Sequence, residues 1–329
     1  MKKVYIKSYN VYIPDSRITS KEISNISNVP EEVIINKFGI RSKPIEMNKK
    51  VSEMCIETLK NISASENIKE SVSTLIYAGS DFKDNYIWTI APFLSNSIGL
   101  KDVLAFDISS QCVGSLVAVD SAKLITSHTD DRMALVSVGT KQSYIINYKD
   151  PESSFMYDFS DGAVSILIGP GGGKYEILES SFITDGSFSE VVYSPFGDNF
   201  KESKNEWSYK LRTSKNAEWK ERMGNNSKKN FLKVINSALE KSGLTKSNID
   251  YFAFLHTKPS FFNEMIDELG LAKDKSIYLE NYGHMQGVDP FLSLKLAERS
   301  GKIHRNAIIV LVSAGTGWTW GATVIKATE

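Results

Sequence analysis

The stretch LVSVGT at residues 135–140 recurs as LVSAGT at residues 311–316, and this repeat decides the fold. The same offset along the chain aligns the helical segment MCIETLKNI with NFLKVINSA. It also aligns the strand-like YAGS with AFLH. Three matches in one register are much less probable by chance than a single matching hexapeptide. The sequence therefore predicts two similar halves, at residues 1–170 and 171–329.

Continuous apolar strands alternate with helical segments along the chain. VLAFDIS (103–109), MALVSVGT (133–140) and AVSILIG (163–169) are typical of strands that are buried on both faces. VSEMCIETLKNIS (51–63) has the apolar spacing of a helix with one buried face. This alternation predicts a layered α/β fold in which helices cover both faces of the sheet.

Composition excludes several classes of function. The chain has 39 basic and 39 acidic side chains, and a net charge of zero disfavours binding to nucleic acid or to an anionic membrane. Two distant cysteines form neither a disulfide framework nor a zinc site, so we expect no metal and a cytoplasmic location. The uncharged stretch 307–325 is rich in Gly and Thr. It therefore predicts two buried strands joined by a turn rather than a membrane span.

A polar segment at about 197–230 interrupts the pattern of the second half. It is basic on balance, and Trp207 and Trp219 are interleaved with its charged residues. The simplest interpretation is a solvated insertion. The alternative is a lid, or a surface for an anionic partner.

Cys112 stands in DISSQCVGSL, where a predicted strand ends and a helix begins. Unpaired backbone N–H groups and the positive end of the helix dipole favour a thiolate at such a position. An inert buried cysteine is the alternative interpretation. Cys55 lies inside an amphipathic helix and is assigned to the core.

Two histidines are candidate partners of this thiol. His256 ends the strand YFAFLH, and His284 lies in NYGHMQG, the second-half counterpart of the Cys112 turn. Because related halves place the ends of equivalent strands on one side of the sheet, the three side chains are predicted to converge as a nucleophile arrangement. GTGW (315–318) follows a third strand and suits either an oxyanion-binding turn or an ordinary hairpin.

Taken together, DISSQCVGS, FLHTKPSF, NYGHMQG and AGTGWTWGATVI resemble the thiolase-fold condensing enzymes, above all those of the β-ketoacyl-acyl-carrier-protein synthase III type. The resemblance implies a thiolase fold, with two α/β halves in an α-β-α-β-α arrangement. It implies that Cys112 is the acylated nucleophile and that His256 is the catalytic histidine. His284 stands where this type normally has asparagine. Both imidazoles, neutral and donating, would then hold a thioester carbonyl.

The same resemblance implies roles for residues around the nucleophile. The backbone N–H groups of Cys112 and Thr316 would form an oxyanion hole, with Gly315 and Gly317 at the substrate. Ile87 would reach into the acyl pocket of a partner subunit, which implies a homodimer. The carrier-docking patch departs from the family pattern, because Phe261 and Glu268 stand where the family has basic residues that dock an acyl carrier protein.

The function expected from this resemblance is an acyl transfer through Cys112. The acyl group would come from coenzyme A or a carrier protein, without a cofactor. It would be condensed with a malonyl thioester with loss of CO₂, in fatty acid or, more specifically, specialised (polyketide) biosynthesis. The first alternative is an acyltransferase that passes the acyl group to an O, N or C nucleophile without decarboxylation. The second is a non-catalytic subunit that has kept the fold.

Overall fold

The structure is a computed structural model that describes residues 2–65, 68–128, 132–193, 211–213 and 217–329. Most of the predicted insertion, from residue 197 to 210 and from 214 to 216, lies outside the described residues. Residues 217–230 form the first part of a helix that continues to Lys241. The idea that the insertion serves as a lid or as a partner surface stays a prediction.

The strands follow the predicted apolar runs closely. They are β1 Val4–Tyr12, β2 Arg17–Thr19, β3 Ser42–Pro44, β4 Val72–Tyr77, β5 Leu104–Asp107, β6 Met133–Lys141, β7 Asp161–Pro170, β8 Tyr175–Thr184, β9 Val192–Tyr193, β10 Arg212–Thr213, β11 Tyr251–Phe254, β12 Ile308–Gly315 and β13 Thr319–Ala327.

The helices include both partners of the predicted helical repeat. They are α1 Ser20–Ser27, α2 Glu31–Val33, α3 Val51–Ser65, α4 Ile90–Ser97, α5 Gly114–Ser127, α6 Ala217–Lys241, α7 Pro259–Leu269 and α8 Asp289–Arg299. The repeated helical segments lie in α3 and in the second part of α6.

Nine strands form one hydrogen-bonded sheet in the order β11-β12-β13-β8-β1-β7-β6-β4-β5. First-half strands occupy one side, second-half strands occupy the other, and antiparallel β1 and β8 join them. The repeated hexapeptides lie in β6 and β12. Each of these strands runs between a parallel neighbour, β4 or β11, and an antiparallel one, β7 or β13. The repeated segments therefore occupy equivalent places in two similar halves, as predicted.

Three clusters of buried side chains define five layers. Helices α3 and α4 pack on the outer face of the first-half strands. Helices α6 and α7 pack on the outer face of the second-half strands. The inner faces of both sets enclose α5 and α8. Along β12, for example, Ile309 and Leu311 face α5 and α8, whereas Val310 and Val312 face α6 and α7, as the period of two in a strand requires. The predicted α-β-α-β-α architecture is confirmed.

The uncharged stretch 307–325 forms β12 and most of β13, which pair antiparallel around Ser313 and Gly321. The sequence interpretation of two buried strands is therefore correct. Within the described parts of the chain, no helix is long and apolar enough to cross a membrane.

Candidate active site

Cys112 lies in a 3₁₀ turn, Gln111–Val113, that leads directly into α5. Gln111 has a φ of +49°, and Gln286, which precedes the second-half helix α8 in the same way, has a φ of +52°. This unusual backbone shape therefore recurs at the start of both central helices. The Ser313 hydroxyl on β12 donates to the Cys112 carbonyl at 2.6 Å, and Cys112 is only 8% exposed. The turn thus holds the thiol in a fixed position.

Gly315 is required by the close approach of the end of β12 to this turn. A Cβ at residue 315 would lie 2.5 Å from the Ser110 carbonyl oxygen and 3.1 Å from the Cys112 nitrogen. Real Cβ atoms do not come that close to backbone, so only glycine fits without displacing the nucleophile. The predicted close approach at the GTGW segment is therefore present.

His284 is the histidine that contacts the thiol. Its Nε2 lies 3.2 Å from the Cys112 Sγ, and both residues are buried. On the other side of the ring, Nδ1 donates to the Asp289 Oδ2 at 2.6 Å. The three side chains form a chain of nucleophile, imidazole and carboxylate, the arrangement that activates a nucleophile. The structure therefore brings Cys112 and His284 together, as the repeat predicted.

Asp289, which sequence reasoning did not find, anchors this cluster. It is completely buried and is the first residue of α8, where the helix dipole favours a negative charge. Its Oδ1 accepts the Met285 N–H at 2.7 Å, and its Oδ2 also accepts the His256 N–H at 2.8 Å. Because both oxygens accept from backbone N–H groups at fixed positions, the carboxylate is held in place and orients His284.

The charge state of His284 follows from these neighbours. Burial disfavours the charged ring, but the negative charges and hydrogen bonds of Asp289 and Cys112 outweigh it. Together they raise the pKa of His284 well above the ordinary histidine value. The protonated form of the ring is therefore favoured, and a cation beside the sulfur would in turn favour the thiolate. The expectation that His284 acts as a neutral donor to a thioester carbonyl stays a prediction.

His256 belongs to the same cluster but is differently placed. It follows β11, is 3% exposed, and donates from Nε2 to the Phe38 carbonyl at 3.1 Å. Burial lowers the pKa of His256, so this ring is neutral at pH 7. The described contacts connect its backbone to Asp289 and do not connect its ring to Cys112. Its catalytic role stays a prediction.

Two further titratable side chains lie near the histidines, Asp158, which is partly exposed, and Lys43, which is fully buried. Asp158 Oδ2 is 3.9 Å from His256 Nε2. Lys43 is fully buried and donates from Nζ to the Phe159 carbonyl. Burial lowers the pKa of Lys43 to about 7. Since Phe159 forms a β-bridge with His284, Lys43 supports the loop that carries this histidine.

A cavity of about 660 Å³ opens beside the nucleophile turn. Gln111, Thr316 and Gly317 line it next to Cys112. Ile87 lies at its outer part, is 90% exposed and has a φ of +50°. Three of the predicted substrate-side positions therefore border one cavity. The oxyanion role of Thr316 and the reach of Ile87 into a partner stay predictions.

These features define the class. A five-layered fold of two similar halves, with a cysteine and histidines at the ends of equivalent strands, is that of a thiolase-fold condensing enzyme. Residues 106–186 match the family model described as 3-oxoacyl-[acyl-carrier-protein] synthase III, and residues 239–327 match the model of its C-terminal part. Together the two matches take in more than half of the chain. The chain belongs to this family, whose members are acyltransferases.

Individual relatives agree with the assignment. The chain is 27% identical to β-ketoacyl-[acyl-carrier-protein] synthase III of Clostridium acetobutylicum, with 100% of both chains covered. The crystal structure of 3-oxoacyl-[acyl-carrier-protein] synthase III from Aquifex aeolicus is 22% identical and superposes with a TM-score of 0.84, covering 99% of this chain and 100% of that one. The priming β-ketosynthase of the R1128 polyketide pathway is 18% identical, with a TM-score of 0.86 over 100% of this chain and 97% of that one.

Proposed function

We propose that this condensing enzyme forms an acyl thioester on Cys112 and joins the acyl group to a malonyl thioester with release of CO₂. The observation that carries the proposal is the His284 ring, which lies 3.2 Å from the Cys112 sulfur and 2.6 Å from the Asp289 carboxylate on its other side. The thiolate attacks the carbonyl of an acyl thioester. The departing thiolate of the donor then takes the proton from His284, which leaves the acyl-enzyme and a neutral imidazole.

In the second step His284, which is still hydrogen-bonded to Asp289, takes a proton from solvent. Its Nε2–H then donates to the malonyl thioester carbonyl while the carboxylate leaves as CO₂. The enolate carbon attacks the acyl carbonyl and expels Cys112 as the thiolate, which restores the ion pair. The cycle consumes one proton and no cofactor.

Two measurements test this series of reaction steps. Incubation with acyl-coenzyme A donors of two to eight carbons, followed by intact mass, is expected to show one acyl adduct. Malonyl-coenzyme A labelled in its free carboxyl carbon should then release labelled CO₂ and discharge the adduct. Absence of any adduct would overturn the proposal and would favour the alternative that the chain is a non-catalytic subunit.

A second candidate function shares the first step. The Cys112–His284–Asp289 chain leaves His284 neutral after acylation, with Nε2 free to take a proton from a hydroxyl or amine. This favours direct transfer of the acyl group to an O or N nucleophile. Discharge of the adduct by an alcohol or amine, with no CO₂ released from malonyl-coenzyme A, would select this reaction over the condensation.

His256 is expected to serve the second step only. Because its ring is not bonded to the sulfur, we expect His256→Ala to leave the acylation rate within about threefold. We expect it to lower CO₂ release about 10²-fold, the scale of a single positioned catalytic group. His304→Ala is the matched control, since its side chain is 65% exposed. Separate stopped assays of adduct formation and CO₂ release measure the two steps, and an equal loss in both would contradict the division.

The edge of the sheet supports a homodimer. β5 is the last strand of the sheet, and its first residue Leu104 is 60% exposed, close in sequence to the 90% exposed Ile87. Natural proteins seldom leave such an edge uncovered. We propose that two β5 edges pair and bring Ile87 to the partner's cavity.

This dimer gives a direct prediction. Leu104→Lys places a charge on the β5 edge and is expected to weaken dimerisation by at least about tenfold. Leu124→Lys is the control, because Leu124 is 51% exposed on α5, away from that edge. Sedimentation velocity over a concentration series measures both variants. A Leu104→Lys protein that dimerises like the parent would remove β5 from the interface.

The charge on helix α7 disfavours the docking of an acyl carrier protein. Helix α7 carries Phe261 and Glu268, where the family resemblance places basic residues for a carrier protein. Glu264 and Asp267 add further negative charge there. Lys228 from α6 pairs with Glu264 at 2.7 Å and with Glu268 at 3.2 Å, so this lysine is already engaged. An acidic carrier would be repelled by this face. We therefore propose that the acyl donor is a coenzyme A thioester and not a carrier protein docked on α7, in specialised metabolism.

A further inference from the structure

The ring of Tyr278 packs against the ring of His256, with the two ring centroids 5.2 Å apart. We propose that Tyr278 is a positioning residue, which holds the His256 imidazole in the orientation that the second step needs, and that Gly39 makes room for it. The inference rests on the proposed use of His256 in the condensation. It adds two residues on which that step depends.

The imidazole of His256 has few polar contacts of its own. Its Nε2–H donates to the Phe38 carbonyl at 3.1 Å, while Nδ1 is buried and has no hydrogen-bond partner among the described residues. The Asp158 carboxylate oxygen is 3.9 Å from Nε2, which is too far for a hydrogen bond. A single hydrogen bond fixes the place of Nε2 better than the tilt of the ring. Packing must therefore set the tilt.

Tyr278 supplies that packing. Its hydroxyl donates to the carbonyl of Thr257, the residue directly after His256, at 2.8 Å. Burial raises the pKa of Tyr278, so the hydroxyl keeps the proton that it donates. The Phe262 ring on α7 packs against the tyrosine, with ring centroids 4.9 Å apart. Tyr278 therefore contacts the histidine through its ring and the neighbouring backbone through its hydroxyl.

The chain on either side of Tyr278 is anchored. On one side the Ser276 hydroxyl donates to the Phe252 carbonyl at 2.6 Å. On the other side the Glu280 carbonyl accepts the Arg41 N–H at 2.8 Å. The first contact ties the segment to β11, the strand that leads to the histidine, and the second ties it to the chain just after Gly39. The tyrosine ring is therefore held in place from both sides.

Gly39 makes the close approach of Tyr278 possible. It has a φ of +73°, and a Cβ there would lie 1.7 Å from the Tyr278 hydroxyl oxygen and 2.8 Å from the ring carbon that carries it. A residue with a Cβ would therefore displace either the tyrosine or the Phe38 carbonyl, which accepts from His256. Gly39 and Tyr278 form a matched pair in this sense.

Removal of the Tyr278 ring should damage the second step and spare the first. We expect Tyr278→Leu to lower CO₂ release from malonyl-coenzyme A about tenfold, because misplacing a catalytic group by about 1 Å can cost about 10²-fold and a tilt is a smaller error. The acylation rate should stay within about threefold, since His256 does not contact the sulfur. Tyr278→Phe keeps the ring and should retain most of the CO₂ release. An equal loss in both steps, or a Tyr278→Phe protein as slow as Tyr278→Leu, would overturn the inference.

Gly39→Ala tests the same contact from the other side. The added Cβ displaces the tyrosine without removing it, so CO₂ release should fall by a similar factor. Combined with Tyr278→Leu, the substitution should add little, because both single changes remove one contact. Losses that multiply in the double variant would show that Gly39 acts independently and would overturn the matched pair.

Tyr175→Leu is the matched control for a general loss of stability. Tyr175 is buried and donates from its hydroxyl to Glu298 at 2.5 Å, near the C-terminal end of α8, whereas Asp289 begins that helix. The substitution should lower the melting temperature without changing the ratio of the two rates. All variants are assayed at a temperature at which circular dichroism shows them folded. A Tyr175→Leu protein with the same change of ratio as Tyr278→Leu would overturn the inference.

The ring resonance of His256 tests the contact without catalysis. The protein is labelled with ¹³C at Cε1 of its four histidines, and the signals are assigned by single substitutions. Because a neighbouring aromatic ring shifts a resonance, Tyr278→Leu and Gly39→Ala should move the His256 signal, whereas Tyr278→Phe and Tyr175→Leu should leave it near its native position. If no donor acylates the protein, the proposed function fails and this signal still decides the inference. A His256 signal that does not move in Tyr278→Leu overturns it.

Discussion

Replacement of Cys112 by alanine is expected to abolish the acyl adduct completely, while Cys55→Ala leaves it intact. Cys112 is the only thiol beside an imidazolium, with its sulfur 3.2 Å from His284 Nε2. Cys55 is fully buried in α3, and burial raises the pKa of Cys55 to about 12, so it stays a thiol at neutral pH. Since the thiolate is the nucleophile, the two cysteines differ in chemistry as well as position.

The difference can be measured without knowing the substrate. Iodoacetamide labelling of the native protein, followed by peptide mass analysis, should modify Cys112 at least about 10²-fold faster than Cys55, because the Cys112 sulfur contacts an imidazole whereas Cys55 is buried in α3 with a raised pKa. The adduct experiment with each alanine variant then gives the catalytic result. Faster labelling of Cys55 would contradict the assignment of the nucleophile.

The internal repeat explains which part of the active site could be predicted from the sequence. LVSVGT and LVSAGT identify β6 and β12 as equivalent strands. Because these strands are equivalent, Cys112 and His284 lie near the starts of equivalent central helices. That geometry follows from chain topology alone, which is why the contact between them could be predicted. A second sequence feature reflects the equivalence of the two halves. QCVG leads into α5 and QGVD leads into α8, and both adopt the same backbone shape, with positive φ at Gln111 and Gln286.

The role of Asp289 could not be predicted from the repeat. In the sequence it stands in a mostly apolar segment, GVDPFLSL, next to a proline that is ordinary at the start of a helix. Its function depends on complete burial against His284, His256 and Met285, and burial is a property of packing. The one available signal was an acid in the first turn of a helix that is otherwise buried.

The cavity could not be predicted for a similar reason. Gln142 and Asp81 come from the ends of different first-half strands, while Thr316 comes from the second half. Each looks like an ordinary polar loop residue in its own segment. Only the packing of the two halves brings them beside Cys112.

Asp289→Asn is expected to lower the acylation rate about 10³-fold, somewhat less than the loss of about 10⁴ in a serine triad because a thiol ionises more readily. The reason is the proton on His284. The carboxylate accepts from Nδ1 and leaves Nε2 facing the sulfur, whereas an amide nitrogen in its place would donate to Nδ1. The ring would then carry its proton on Nε2 and could not take one from Cys112.

The same substitution should change the titration of His284. In the native protein Asp289 and the thiolate raise the pKa of this ring, so the ion pair persists through neutral pH and is lost only as the pH rises through that raised value. Without the carboxylate, burial dominates and the pKa should fall to the ordinary range or below. The chain has four histidines, so ring resonances followed by NMR across a pH series can be assigned by single substitutions.

If Asp289 had only a structural role, the Asp289→Asn substitution would give a different result. The Asp289→Asn substitution would leave the His256 N–H without its acceptor, a loss of about 1–3 kcal/mol in the free energy of unfolding. Denaturant unfolding measures that loss independently, and Asp267→Asn on the exposed face of α7 is the matched control. If Asp289 orients His284, a folded Asp289→Asn protein at a temperature far below its melting point still acylates slowly, and its His284 resonance titrates at a lower pH. A folded variant that acylates at the native rate would show that Asp289 supports the fold and leaves the chemistry to Cys112 and His284.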